Sequence, residues 1–88
     1  MKIVKNAVAG TLESSDAYVE ILPAEDLIIT VESVVQAQFG DEIRSAVADV
    51  LDQCGVTQAN VRVVDRGALE CVIRARVETA AIRGKGDA

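Results

Sequence analysis

The chain has 88 residues, half of them hydrophobic, and 14 acidic against 9 basic side chains give it a net charge of −5. A chain this short forms one domain with a small core, burying about 60–65% of the surface it exposes when unfolded. The acidic balance repels nucleic-acid phosphates, and with Tyr18 and Phe39 as its only aromatic residues the chain lacks the material for a base-stacking surface.

From Ile3 to Leu12 the sequence is mostly apolar and β-branched, and Tyr18, Val19, Ile21 and Leu22 resume an apolar run. Glu13 to Asp16 therefore reads as a hairpin loop between two strands, with Ser14 and Ser15 exposed on it. Pro23 to Asp26 reads as a turn, and Leu27 to Val31 as a third strand, dense in β-branched residues and buried on at least one face. A three-strand antiparallel meander through residue 32 is the natural arrangement. Ser33, followed three residues on by Gln36, forms a capping-box pattern that starts a helix at Val34. The alternative start uses Asp41 as N-cap, with Gly40 as the point of a break or kink.

From Phe39 the helical period is clear: Phe39, Ile43, Ala46, Val47, Val50, Leu51 and Cys54 share a face opposite Arg44, Asp49 and Gln53. The helix predicted over Phe39 to Cys54 ends at Gly55, in the place of a C-cap glycine. Val61 to Val64 is a fourth strand, closed by Asp65-Arg66-Gly67. Ala68 to Arg83 fits two periods, a strand aligning Leu69, Cys71, Ile73, Ala75 and Val77 or a helix aligning Leu69, Val72, Ile73, Val77 and Ala80. Its length and its content of Ala, Arg and Glu favour the helix. The expected architecture is α+β: an antiparallel sheet of about four strands with two helices packed on one face. Residues 1–83 make a single domain and 84–88 a flexible C-terminal tail.

The chemistry on offer is sparse. The absence of histidine removes the commonest general base and zinc ligand. Cys54 and Cys71 lack C-x-x-C spacing, so no metal site is expected, and the glycines form no phosphate-binding fingerprint. Both cysteines fall in apolar helical contexts, where a reduced thiol packs as a small hydrophobe. No run approaches the roughly 18 apolar residues of a membrane span, and Met1 to Lys5 lacks the apolar core of a secretion signal. The expected location is the cytoplasm, where a disulfide is not expected. Glu13 and Asp16 read as solvated turn charges beside the serines, Asp41, Glu42, Asp49 and Asp52 as a solvated helix face, and Arg74 and Arg76 as exposed arginines of the last helix.

Three segments together carry a resemblance: Ala7-Val8-Ala9-Gly10-Thr11-Leu12-Glu13-Ser14, Gln38-Phe39-Gly40-Asp41-Glu42-Ile43-Arg44, and Asp65-Arg66-Gly67-Ala68-Leu69-Glu70-Cys71-Val72-Ile73-Arg74-Ala75-Arg76. In order and spacing, over nearly the whole chain, they resemble the acyl carrier (gamma) subunit of citrate lyase. The resemblance implies a non-catalytic carrier without catalytic or metal-binding residues. At the position matching Ser14 the family holds a phosphoribosyl-dephospho-CoA arm through a phosphodiester; several relatives have Gly next, where this chain has Ser15, the neighbouring alternative. It further implies three partners: the alpha (transferase) subunit, which exchanges acetyl for citryl on the arm, the beta (lyase) subunit, which releases oxaloacetate and regenerates the acetyl thioester, and the transferase that attaches the arm. No nucleic-acid or membrane partner is implied, and the scaffold differs from the four-helix carriers, whose serine opens a helix.

Two other readings remain open. The carrier subunit of malonate decarboxylase uses a related prosthetic group, although Gly10-Thr11-Leu12-Glu13-Ser14 and Gly67-Ala68-Leu69-Glu70-Cys71 favour citrate lyase. A small non-enzymatic α+β module that binds a protein or metabolite on its sheet predicts an unmodified serine loop.

Overall fold

In the computed structural model, which describes residues 1–34 and 36–86, β1 (Ala7–Gly10) and β2 (Ala17–Leu22) form an antiparallel hairpin, Ala9 opposite Val19 and Gly10 opposite Tyr18. β3 (Leu27–Ser33), α1 (Gln36–Gln53), β4 (Ala59–Asp65) and α2 (Glu70–Gly84) follow. The strands form one sheet in the order β1-β2-β4-β3. Its inward face alternates as period 2 requires: Ala17, Val19 and Ile21 on β2 and Ala59, Val61 and Val63 on β4 are all fully buried. Both helices lie on that face, α2 over β1 and β2, α1 over β3, and each packs on the other.

The sheet is mixed, which corrects the expected antiparallel sheet and its meander. β4 inserts between β2 and β3, antiparallel to β2 and parallel to β3. The reason lies in the crossover: α1 carries the chain back across the face of the sheet, so the strand after it re-enters in the direction of the strand before it. β4, with inward residues that solvent does not reach, takes the position paired on both sides. β3 carries Thr30 and Glu32 outward and takes an edge.

The α1 stripe is as the period predicts at Ile43, Ala46, Val47, Val50 and Leu51, all buried. Phe39 departs from it at 44% exposed. The helix begins at Gln36 and runs through Gly40 and Asp41, so Asp41 is not its N-cap; Val34 lies in a turn and Val35 falls outside the described residues. Cys54 follows the helix, and Gly55 takes the left-handed φ of +72° that suits a glycine after a helix C-terminus.

α2 confirms the helical reading of the last segment and buries Ile73, Val77, Ala80, Ala81 and Gly84. Leu69 precedes it at 72% exposed, and Cys71 is exposed, contrary to the expected burial. Leu69 is in register with the stripe 73–77–80–81–84 but stands ahead of the helix in an extended conformation (φ −66°, ψ 154°), whereas Cys71 falls off the stripe. The expected tail boundary also moves. Gly84 is helical and buried, and its carbonyl accepts the N–H groups of Val4 and Lys5 at 2.9 and 3.2 Å. Residues 87 and 88 lie outside the described residues.

Candidate functional site

β1 stops at Gly10 for a steric reason. Its φ is +85°, and a Cβ there would stand 1.8 Å from the Ala17 carbonyl oxygen and 3.1 Å from Arg76 Cδ. A residue with a side chain cannot close the hairpin mouth in this geometry.

Beyond Gly10 the loop narrows to a turn over Glu13–Asp16, in which the Asp16 N–H donates to the Glu13 carbonyl at 3.2 Å. Ser15, third in that turn, has φ +66°, the left-handed conformation that a type II turn requires and that glycine adopts without strain. Ser14 occupies the outer corner. Both serines are exposed, and among the described residues neither hydroxyl has a hydrogen-bond partner. The structure thus places both predicted serines, exposed, on the turn where the sequence expects them, and they differ in backbone conformation. Position 15 is constrained by its backbone, and position 14 only displays its side chain.

The base of the loop is fixed by Asp16, which is not the solvated turn charge expected of it. Its side chain is 15% exposed. It accepts from the Thr11 hydroxyl at 2.7 Å, from the Ala17 N–H at 2.7 Å, and from Arg76 Nε and Nη2 at 3.1 and 3.3 Å. The Glu13 N–H in turn donates to Thr11 Oγ1 at 3.2 Å. The Thr11 hydroxyl, then the Ala17 amide and the Arg76 guanidinium, hold the Asp16 carboxyl at about 2 against an ordinary 3.8. Sequence reasoning missed this network because Arg76 is a long way along the chain; the one local signal was a Thr and an Asp bracketing the turn.

A second loop supports the first. The Ser15 N–H donates to the Arg66 carbonyl at 2.8 Å, and the Arg66 N–H donates to the Asp16 carbonyl at 2.9 Å. Two residues of the serine loop thus face one of the 65–67 turn, a bulge of the kind that glycine favours at its first position. That turn is itself locked by Asp65, 2% exposed. Its carboxylate accepts from the Gly67 and Ala68 N–H groups at 3.2 and 2.9 Å and from the Ser33 hydroxyl at 2.7 Å. A buried carboxylate satisfied this fully joins the ends of β3 and β4 to the start of α2.

The remaining charged residues serve elsewhere. Arg74 bridges Asp49 of α1 and Glu70 at 2.6 and 3.1 Å. A cavity of about 280 Å³ opens between α1 and α2, lined by Phe39, Ile43, Ala46 and Ile73 and by Glu42, Asp65 and Glu70, with no residue of the serine loop in its wall. Among the described residues no three His, Cys, Asp or Glu side chains gather to hold a metal, and no helix is long and apolar enough to cross a membrane.

Comparisons with known proteins bear on the family and the fold. Residues 4–84 match the family described as "ACP: Malonate decarboxylase delta subunit (MdcD)". The fold is similar to a chain in a crystal structure of a Pseudomonas malonate decarboxylase hetero-tetramer in complex with malonate. That match has a TM-score of 0.76 and 24% identity and covers 90% of this chain and 82% of the other. In sequence the chain is 52% identical to a citrate lyase acyl carrier protein of Albidiferax ferrireducens, over 99% of this chain and 91% of that one. It is 54% identical to the citrate lyase acyl carrier protein of Haemophilus influenzae strain PittEE, over 94% and 87%. With identities this high over nearly its full length, the chain belongs to the citrate lyase acyl carrier protein family.

Proposed function

We propose that this chain is the non-catalytic acyl carrier subunit of a citrate lyase and that the Ser14 hydroxyl is the attachment point of its phosphoribosyl-dephospho-CoA arm. The observation that carries the assignment is the contrast between neighbours: Ser14 is exposed at a turn corner, while Ser15 holds φ +66° with its N–H bonded to Arg66. Position 15 does a glycine's work, whereas position 14 carries no left-handed backbone constraint.

The residues present fit such an arm. Ser14 offers an unengaged hydroxyl on a loop whose base is tied down by Asp16, Arg76 and Arg66, so the point of attachment stays put while what hangs from it swings. Asp16, held at about 2 and already bonded to Thr11, Ala17 and Arg76, is not a proton acceptor for the serine. Activation of the hydroxyl therefore falls to the modifying transferase, and this chain supplies access. When attached, the arm supplies a terminal thiol on which the acyl group travels between the alpha (transferase) and beta (lyase) subunits. Tethering holds that thiol at an effective concentration on the order of mM at each active site. The net reaction is cleavage of citrate to acetate and oxaloacetate, in the cytoplasm.

Two measurements test this. Wild type, Ser14→Ala and Ser15→Ala are co-expressed with the modifying transferase and weighed intact; Ser14→Ala loses the adduct and Ser15→Ala keeps it, and the reverse pattern overturns the assignment. Apo and arm-bearing acetylated carrier are then added to the partner subunits while oxaloacetate is followed. Activity only with the loaded form supports the carrier role, and equal activity with the apo form ends it. The malonate decarboxylase reading draws on the matching family's description and on the shared fold, and predicts that the loaded carrier restores malonate decarboxylation instead.

A further inference from the structure

We propose that Arg66 is the anion-binding residue of this carrier, its guanidinium pairing with the phosphodiester that joins the arm to the chain; the proposal rests on attachment at Ser14. The placement is imposed by the backbone. Arg66 is hydrogen-bonded through both its N–H and its carbonyl to the serine loop, at Asp16 and Ser15. Residues paired in this way across a bulge are immediate neighbours, so the Arg66 backbone lies against the turn that displays Ser14, and the residue also lines a depression with Glu32, Ser33, Val34 and Val64.

Arg66 is also the uncommitted arginine. Arg44 donates to the Ile29 carbonyl, Arg62 pairs with Glu20 and Glu32, Arg74 with Asp49 and Glu70, Arg76 with Asp16, and Arg83 donates to the Val8 carbonyl. Arg66 is exposed, and among the described residues its guanidinium has no partner. Lys2 and Lys85 line one surface depression with Met1 and Val4, and Lys5 donates its N–H to Gly84, so the lysines gather at the C-terminal end of α2. At the serine end the other guanidinium near the loop, Arg76, is already spent on Asp16.

The electrostatics make a role for this cation concrete. A phosphodiester on Ser14 adds an anion next to Glu13, in a chain that already carries a net charge of −5. Like charges this close repel, and a fixed counter-charge beside Ser14 offsets that repulsion at the point of attachment while the rest of the arm stays free to swing. A guanidinium matches this geometry, because its fork donates to two phosphate oxygens at once, whereas an ammonium offers a point charge. Arg66 supplies only main-chain hydrogen bonds to the fold, so its side chain is free for this purpose without cost to the loop.

The test uses the modified carrier itself. In ¹⁵N-labelled protein with the adduct mapped to Ser14 by peptide mass, the Nε–Hε resonance of Arg66 is compared between apo and modified forms, with Arg76 as internal reference. Pairing predicts a downfield shift and slowed solvent exchange at Arg66 and no change at Arg76. In modified Arg66→Ala the ³¹P resonance of the phosphodiester moves towards that of the same phosphodiester in the unfolded modified carrier, and in Arg66→Lys it moves part of the way. Adduct on Ser14 with an unmoved Arg66 resonance, or with a ³¹P shift indifferent to Arg66→Ala, overturns the pairing and leaves the attachment site standing. An adduct mapped to Ser15 overturns both.

Discussion

The Arg76 guanidinium grips both carboxylate oxygens of Asp16, Nε to Oδ1 at 3.1 Å and Nη2 to Oδ2 at 3.3 Å, across 60 positions of sequence. This contact makes the hairpin mouth a fixed mount. It ties the loop that presents Ser14 to α2, and the same helix is packed by Ile73, Val77 and Ala80 onto the sheet.

The mount should fail at low pH in a defined window. The Asp16 carboxyl is depressed from 3.8 to about 2 in the folded chain, so the ionised form's contribution is fully present above about pH 4 and is lost as pH falls through about 2. Amide shifts of Thr11 and Ala17 followed by NMR should titrate with a midpoint near 2. Asp16→Asn should show the low-pH spectrum of these amides at every pH, and a wild-type midpoint near 4 would mean that the network does not form.

Gly10→Ala should destabilise the chain by more than about 1 kcal/mol, because alanine meets both a positive φ and the Ala17 carbonyl. For a domain of this size that lowers Tm by at least about 4 °C. Thermal unfolding by circular dichroism reads it, and an unchanged Tm would contradict the contact.

Ser15→Gly should leave folding and modification intact, and should raise Tm slightly or not at all, since glycine accepts φ +66° without strain while adding freedom to the unfolded chain. Ser15→Val should lower both Tm and the rate of modification, because a β-branched residue resists this conformation. Intact mass over time and thermal melts distinguish the two variants.

The thiols should separate in a labelling experiment. Cys71 is exposed, whereas Cys54 is half-buried and burial pushes its thiol up. An aromatic disulfide reagent at neutral pH should react with Cys71 well before Cys54, with Cys71→Ser removing the fast phase. Equal rates would argue against the α2 orientation.

Local pattern was enough for what depends on near neighbours. The six elements, the α1 stripe from Ile43 to Leu51, the turn at Glu13 to Asp16 and the exposure of Ser14 follow from period, β-branching and turn chemistry, all of which act within a few residues. Recognition of the family came from three short segments, and attention to Ser14 came with them.

Contacts between distant residues needed the tertiary structure. Strand order is one case: nothing local tells Leu27–Ser33 that its neighbour is β4 rather than β2, because the choice depends on which strand best buries both sides. Phe39 and Leu69 are others, apolar by type yet left exposed where the helix layer ends. At the serine loop the same holds for the partners of Asp16 and Arg66. A charge beside a turn is indistinguishable in sequence from a solvated one. Only the approach of α2 and the 65–67 turn sets Arg76 on Asp16 and the Arg66 backbone on Ser15 and Asp16, because an ion pair or hydrogen bond acts over a few ångströms of space whatever the separation along the chain.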